Sequence, residues 1–262
     1  MPYTLVLFHA HPDDEAIATG GTMARAKSEG HRVVLVAATR GELGEHAPDS
    51  LEPGEKLVDR RVAELHAAAD ILGADRVAFL DYLDSGMAGE PTNDAPGSFA
   101  SADIEEAAAR LARILDEEDA DVLTIYDENG NYGHPDHIQV HRVGVRAAEI
   151  AGTRRVYEAT ANRDHLQRLM KLVPQDPDSP DAPADLDTLG VTEDQITTTV
   201  DVRDFVDHKR NAMIAHASQI PADSFFLQLP PDAFREAFGW EWFIRRDVPR
   251  TARESTLFDD LD

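Results

Sequence analysis

Cysteine is absent from the 262 residues. Disulfides and thiolate ligands are therefore excluded, and any transition metal must be held by imidazole and carboxylate. Positive charge is scarce: 25 lysines and arginines stand against 50 aspartates and glutamates, a formal net charge of -25, and lysine occurs only as Lys27, Lys56, Lys171 and Lys209. Binding to nucleic-acid phosphates or anionic membranes is carried largely by clustered basic side chains, so neither partner is expected. No apolar run approaches the roughly 20 residues needed to span a bilayer, and the N-terminus enters an apolar strand without a basic leader region. These absences predict a soluble, cytoplasmic protein acting on a small molecule. The sequence also lacks a G-x-G-x-x-G after its first apolar run, which argues against a dinucleotide site, and shows no repeat at solenoid periods.

What is present is an alternation. Apolar, β-prone runs at Tyr3–Phe8, Val33–Ala38, Val77–Leu80 and Val122–Tyr126 alternate with segments of helical periodicity at about 15–29, 56–72, 102–118 and 136–151. The runs are apolar on both faces, as strands covered by helices on each side require. The reading is an α/β fold, a Rossmann-like three-layer α/β/α arrangement on a mostly parallel sheet. Residues 1–160 form its core, with a further strand near Arg155–Ala159, and 161–262 a C-terminal lobe of the same domain. Ser101 before an acidic turn predicts a helix start, and Gly30 and Gly73 predict helix stops. Prolines and aspartates crowd 174–187, predicting an irregular insertion. Beyond it, strands are expected at Ile196–Val202 and Trp240–Ile244 and a helix at Phe205–Ala217.

Two motifs carry chemistry. AHPDDE at Ala10–Glu15 follows the first strand, and YDENGNYGHPDH at Tyr126–His137 follows the fourth, so both belong at the carboxyl edge of the sheet, where open α/β sheets bind ligands. Together they can supply His11, Asp14 and His137 as two imidazoles and a carboxylate, a set that leaves positions open for water and substrate. On chemistry alone either Asp13 or Asp14 can ligate, and the other is free to take a proton from water. His134 can face the same place as an acid or electrostatic stabiliser, and Tyr132 can donate to an oxyanion or simply stack in its loop. His9 reads as a buried, hydrogen-bonded residue, and His66, His141 and His216 as packing or surface histidines.

These motifs closely resemble the LmbE-like superfamily of zinc-dependent N-acetylglucosaminyl de-N-acetylases, which includes the PIG-L enzymes, across roughly residues 3–160. Within it the likeness is greatest to the mycothiol-pathway deacetylase and mycothiol S-conjugate amidase. The resemblance implies that His11, Asp14 and His137 bind Zn2+, that Asp13 is the base, and that His134 and Tyr132 assist. It further implies that Arg61, in the RVAEL helix, and Asp84, in DSGMAG, bind substrate. Without the resemblance, Arg61 and Glu64 read equally well as an ion pair on a solvated helix face. The donor set also suits Fe2+.

The activity so implied is hydrolysis of an N-acetyl or N-acyl amide in a sugar or thiol conjugate. A sugar- or nucleotide-binding module with a structural metal is the alternative, and a homo-oligomer is compatible with either. The acidity, spread along the chain, resembles the surface of a halophilic protein, whose mutual repulsion concentrated salt screens. Unfolding or inactivation is therefore expected at low salt. Far-ultraviolet circular dichroism and activity across a potassium chloride series test this, and full stability without added salt would remove the reading.

Overall fold

The computed structural model describes residues 2–171 and 188–261. The Pro/Asp-rich insertion expected at 174–187 lies outside the described residues. The apolar runs become β1 (Thr4–His9), β2 (Arg32–Ala37), β3 (Arg76–Phe79), β4 (Val122–Tyr126) and β5 (Arg155–Thr160), each parallel to its neighbours among these five. Two later strands, β6 (Thr198–Asp201) and β7 (Trp240–Arg245), extend the same sheet in antiparallel pairing, giving the order β3-β2-β1-β4-β5-β7-β6. Leu5 through Phe8 and Val33 through Val36 are wholly buried, which is why these strands read as continuous apolar runs rather than alternating ones.

Helices α1 (Asp14–Ala18), α2 (Gly20–Ser28) and α3 (Leu57–Leu72) follow β1 and β2, whereas α4 (Ile104–Glu117), α5 (Gly130–Gly133) and α6 (Pro135–Ala151) surround β4. Right-handed crossovers put the two groups on opposite faces of the sheet. Beyond β5 come α7 (Arg163–Met170), α8 (Val206–Ala215), α9 (Phe225–Gln228) and α10 (Pro231–Phe238). Helix α4 packs on α6, while α8, although late in sequence, packs on α1, α2 and α3. The strand order reverses between β1 and β4, so the loops leaving these two strands flank the crevice at the switch point. No helix among the described residues is long and apolar enough to cross a membrane.

The single helix expected near 15–29 is in fact two. Thr19 is non-helical, with φ -137° and ψ 8°. The restarted helix then finds its N-terminal acceptor far away: Gly21 and Thr22 donate their N–H groups to the Glu241 carboxylate, each at 2.8 Å. Glu241 is buried and also receives Lys209 Nζ at 2.5 Å. The expected start at Ser101 is likewise displaced, because Asp103 caps α4 by accepting Glu106 N–H at 2.9 Å. Ser101 instead bonds to Ser98 and the Ala95 carbonyl. Gly73 closes α3 in the left-handed conformation, as expected of a stop.

Gly21 is where α2 meets the chain just after β6, since a Cβ there would sit 2.5 Å from the Cβ of Val202. Overpacking of that kind costs about 1–3 kcal/mol. Gly21→Ala should lower the melting temperature by several degrees, at roughly 2–4 °C per kcal/mol for a domain of this size. An unchanged melting curve would show that Val202 yields without cost.

Candidate functional site

The first loop turns sharply. After β1, the ladder to β2 continues through Ala38 N–H to His9 O and Thr39 N–H to Ala10 O, and then Asp13 adopts φ 108°, ψ -30°. That conformation costs a non-glycine residue on the order of 1–3 kcal/mol and persists only when its surroundings over-determine it. Those surroundings are explicit. Arg61 on α3 donates to Pro12 O at 2.6 Å, Asp14 Oδ2 accepts His11 N–H at 2.8 Å, and Glu15 Oε2 accepts Asp13 N–H at 3.0 Å.

The second loop leaves β4 through Asp127, whose carboxylate accepts from Asn129 N, Asn131 N and Thr160 Oγ1. Gly130 has φ 62°, and a Cβ there would come within 2.6 Å of His137 Cβ, so glycine allows α6 to approach. His134 caps α6: its Nδ1 accepts Asp136 N–H at 3.1 Å, with Pro135 in the first turn. In the neutral ring the proton of His134 therefore sits on Nε2.

The two loops converge. Asp14 divides its oxygens between two imidazoles, with Oδ2 3.6 Å from His11 Nδ1 and Oδ1 3.3 Å from His137 Nε2. Among the described residues, His11, His134 and His137 offer ligand atoms within 4.8 Å of one another, and so do His11, Asp84 and Asp136. His11 Nε2 lies 3.1 Å from Asp136 Oδ2 and 3.5 Å from Asp84 Oδ1. Tyr132, 47 % exposed at the rim, places its hydroxyl 3.5 Å from His137 Nε2. Asp13 Oδ1 is 3.4 Å from Arg61 Nη2.

Charge in this cluster is unbalanced. The carboxylates of Asp13, Asp14, Asp84 and Asp136 crowd the imidazoles, with Arg61 as one fixed positive charge beside them. Burial pushes the Asp13 carboxyl up to about 6, against the pull of Arg61 and with the repulsion of Asp14. Burial works against the charge on His11, but hydrogen bonding to Asp136, Asp14 and Asp84 outweighs it and raises the imidazole. Asp14 is held well below the carboxylate range by His137 and His11, despite its burial. His134 is brought down to about 4 by burial and by its two histidine neighbours. Two imidazoles sharing a carboxylate and an excess of acid fit a divalent cation.

All eight residues singled out from the sequence lie at this crevice, but Arg61 and Asp84 are buried and committed. Arg61 binds the carbonyls of Gly41 and Pro12, each at 2.6 Å, and Asp84 accepts from Leu43 N and Gly86 N. The solvated Arg61–Glu64 pair is not found, because both residues are buried and Glu64 binds Ser218 instead. Sequence reasoning missed Asp136, which is fully buried and takes bonds from Ser85 N at 3.0 Å, from Ser85 Oγ and from the His11 ring. Its signal was its place inside HPDH. His9 is buried between Tyr126 OH and Thr19 Oγ1, as expected. His66 is exposed and His141 bonds the Tyr126 carbonyl. His216 is packed inside, fully buried, and its Nε2 lies 2.6 Å from Glu15 Oε1, a partner the sequence pattern did not indicate.

Known proteins resemble this chain. Residues 6–148 match the family described as PIG-L: GlcNAc-PI de-N-acetylase. A curated relative from Thermomonospora curvata, 1D-myo-inositol 2-acetamido-2-deoxy-alpha-D-glucopyranoside deacetylase, is 39% identical over 98% of this chain and 96% of its own. A relative of the same description from Acidothermus cellulolyticus is 40% identical, covering 100% of this chain and 96% of its own. Among solved structures, N,N'-diacetylchitobiose deacetylase from Pyrococcus horikoshii shares the fold with a TM-score of 0.62 at 20% identity, covering 99% of this chain and 88% of that one.

Asp136 bonds the ring of His11, so if His11 holds a divalent cation, removal of Asp136 should loosen it. Asp136→Ala is expected to lower divalent-metal affinity by roughly 10–100-fold, the usual consequence of losing a ligand's hydrogen-bond partner. Competition against a chromophoric chelator measures it, and an affinity equal to that of the unmutated protein would remove Asp136 from this role.

Proposed function

The chain belongs to the PIG-L family of GlcNAc-PI de-N-acetylases, and from that premise we propose how its residues divide the work and what they act on. It is an amidohydrolase acting on an N-acetylglucosamine-containing compound. The substrate proposed is the acetamido sugar joined to inositol, the compound named for relatives aligned along nearly the whole chain. The observation that supports this division of labour most directly is the meeting of the AHPDDE and HPDH loops, with Asp14 between His11 and His137.

In this reading His11, Asp14 and His137 hold a divalent cation, proposed to be zinc. When bound, such a cation supplies Lewis acidity, acidifying water and polarising a carbonyl. Asp13, adjacent in sequence to a ligand but directed toward Arg61, is the base that takes the proton from the attacking water. The water oxygen bonds to the acetamide carbon and the carbonyl π pair moves to oxygen. His134 Nε2–H and the Tyr132 hydroxyl are the donors available to that oxyanion, since His134 Nδ1 is occupied by the cap of α6. Collapse of the tetrahedral carbon breaks the C–N bond, and the proton held by Asp13 returns to the departing nitrogen. The products are acetate and the amine, which takes up the proton the new carboxylic acid gives up. Arg61 and Asp84 are proposed to serve the substrate by fixing the loops at 40–44 and 84–86, which their hydrogen bonds tie to the site.

Acetate release from the inositol-linked acetamido sugar, abolished by a chelator and restored by zinc, tests the activity. Asp13→Asn should retain the metal while kcat falls by about 10²–10⁴, the range for loss of a general base. Undiminished turnover in that variant would assign the base elsewhere.

A further inference from the structure

The strained AHPDDE turn is braced by residues from the C-terminal lobe. His216 caps the end of α8 and is fully buried, as is Glu15. Its Nε2 stands 2.6 Å from Glu15 Oε1, across a sequence separation of 201 residues. The other oxygen of Glu15 accepts the N–H of Asp13, the residue whose φ is 108°. A continuous path thus runs from the His216 ring through the Glu15 carboxylate to the Asp13 backbone. Because neither His216 nor Glu15 reaches the surface, neither can touch a substrate.

The same segment braces the other side of the turn. Ser218 donates its N–H and its hydroxyl to Glu64, at 2.9 and 2.6 Å, and Glu64 lies one helical turn beyond Arg61, which holds Pro12 O. Residues 216–218 therefore reach the turn by two routes. Only the His216 route ends on the amide of Asp13 itself. A buried carboxylate deprived of one partner reorients toward another donor. Loss of the His216 bond would therefore free Glu15 to let go of Asp13, and the left-handed turn would relax.

We propose that His216 is a positioning residue for Asp13, acting through Glu15 to hold the AHPDDE turn in its left-handed conformation. The inference rests on the reading of Asp13 as the base and gives the C-terminal lobe a part in the reaction. Small displacements of a reacting group cost large factors in rate while leaving remote binding contacts intact.

The test compares His216→Gln, which keeps an N–H donor at the reach of Nε2, with His216→Ala, which removes it. His216→Asn, whose amide ends short of Glu15, replaces the alanine variant where that one fails to fold. With the full chain loaded with zinc, His216→Ala or His216→Asn should lower kcat by roughly 10–100-fold and keep KM within about twofold. Zinc stoichiometry should be unchanged, and His216→Gln should recover most of kcat. In the metal-free chain, amide hydrogen exchange of the peptide spanning residues 10–16 should quicken in the alanine or asparagine variant and return toward the unmutated rate in the glutamine variant. Unmutated kcat and exchange in the variants lacking the donor would overturn the proposal, as would a glutamine variant as slow as they are. A protein that releases no acetate would instead sink the deacetylase reading, and exchange at residues 10–16 would then decide the positioning role alone.

Discussion

Burial of carboxyl groups is the constraint on which this structure depends. An acid in the protein interior costs several kcal/mol unless charge and hydrogen bonds replace the lost water. Glu15, Glu64, Asp84, Asp136 and Glu241 are all buried, and each is matched. Glu15 has His216 and the Asp13 amide, Glu64 has Ser218, Asp84 has two loop amides, Asp136 has Ser85 and His11, and Glu241 has Lys209 and the start of α2. Each pairing ties an irregular segment to a regular one. The loops around the crevice are therefore fixed less by apolar packing than by the need of five acids to be satisfied.

That constraint explains what could be read from the sequence. The parallel strands were legible because a strand buried on both faces must be apolar throughout, and Leu5–Phe8 or Val33–Val36 permit little else. The break between α1 and α2 was not legible. The amides of Gly21 and Thr22 are satisfied by Glu241, 220 and 219 residues away, and no local pattern records so remote an acceptor. Asp103 displaced Ser101 as a cap for a local reason, since only Asp103 stands in position to accept the Glu106 amide.

At the site the same division holds. His11, Asp13, Asp14, Tyr132, His134 and His137 announced themselves because two motifs follow two strands that flank the switch point, and the fold brings those strand ends together. Asp136 lay in plain view between Pro135 and His137, yet its role depends on Ser85, from a different loop. Arg61 and Glu64 have the spacing of an exposed ion pair, but α3 is covered by α8, so each turns to a buried partner instead. His216 has no motif at all. Its spacing at the end of α8 is that of a packing residue, and only the tertiary structure reveals the acid opposite it.

The acidic side chains thus form two populations with different physics. Those on the surface repel one another through water, where ions screen within about a Debye length. Those at the crevice sit beside fixed partners and are screened far less, so the formal charge of -25 says little about how the site works. It does bear on what the site takes in and gives out. A neutral N-acetylglucosamine compound approaches without electrostatic cost, whereas an anionic one would climb the negative potential of the whole molecule. Hydrolysis changes this relation, because the acetate formed is an anion inside a negative field. The surface that is indifferent to a neutral substrate therefore favours departure of the acetate and holds back the protonated amine, and a cation bound in the crevice would counter that tendency only locally.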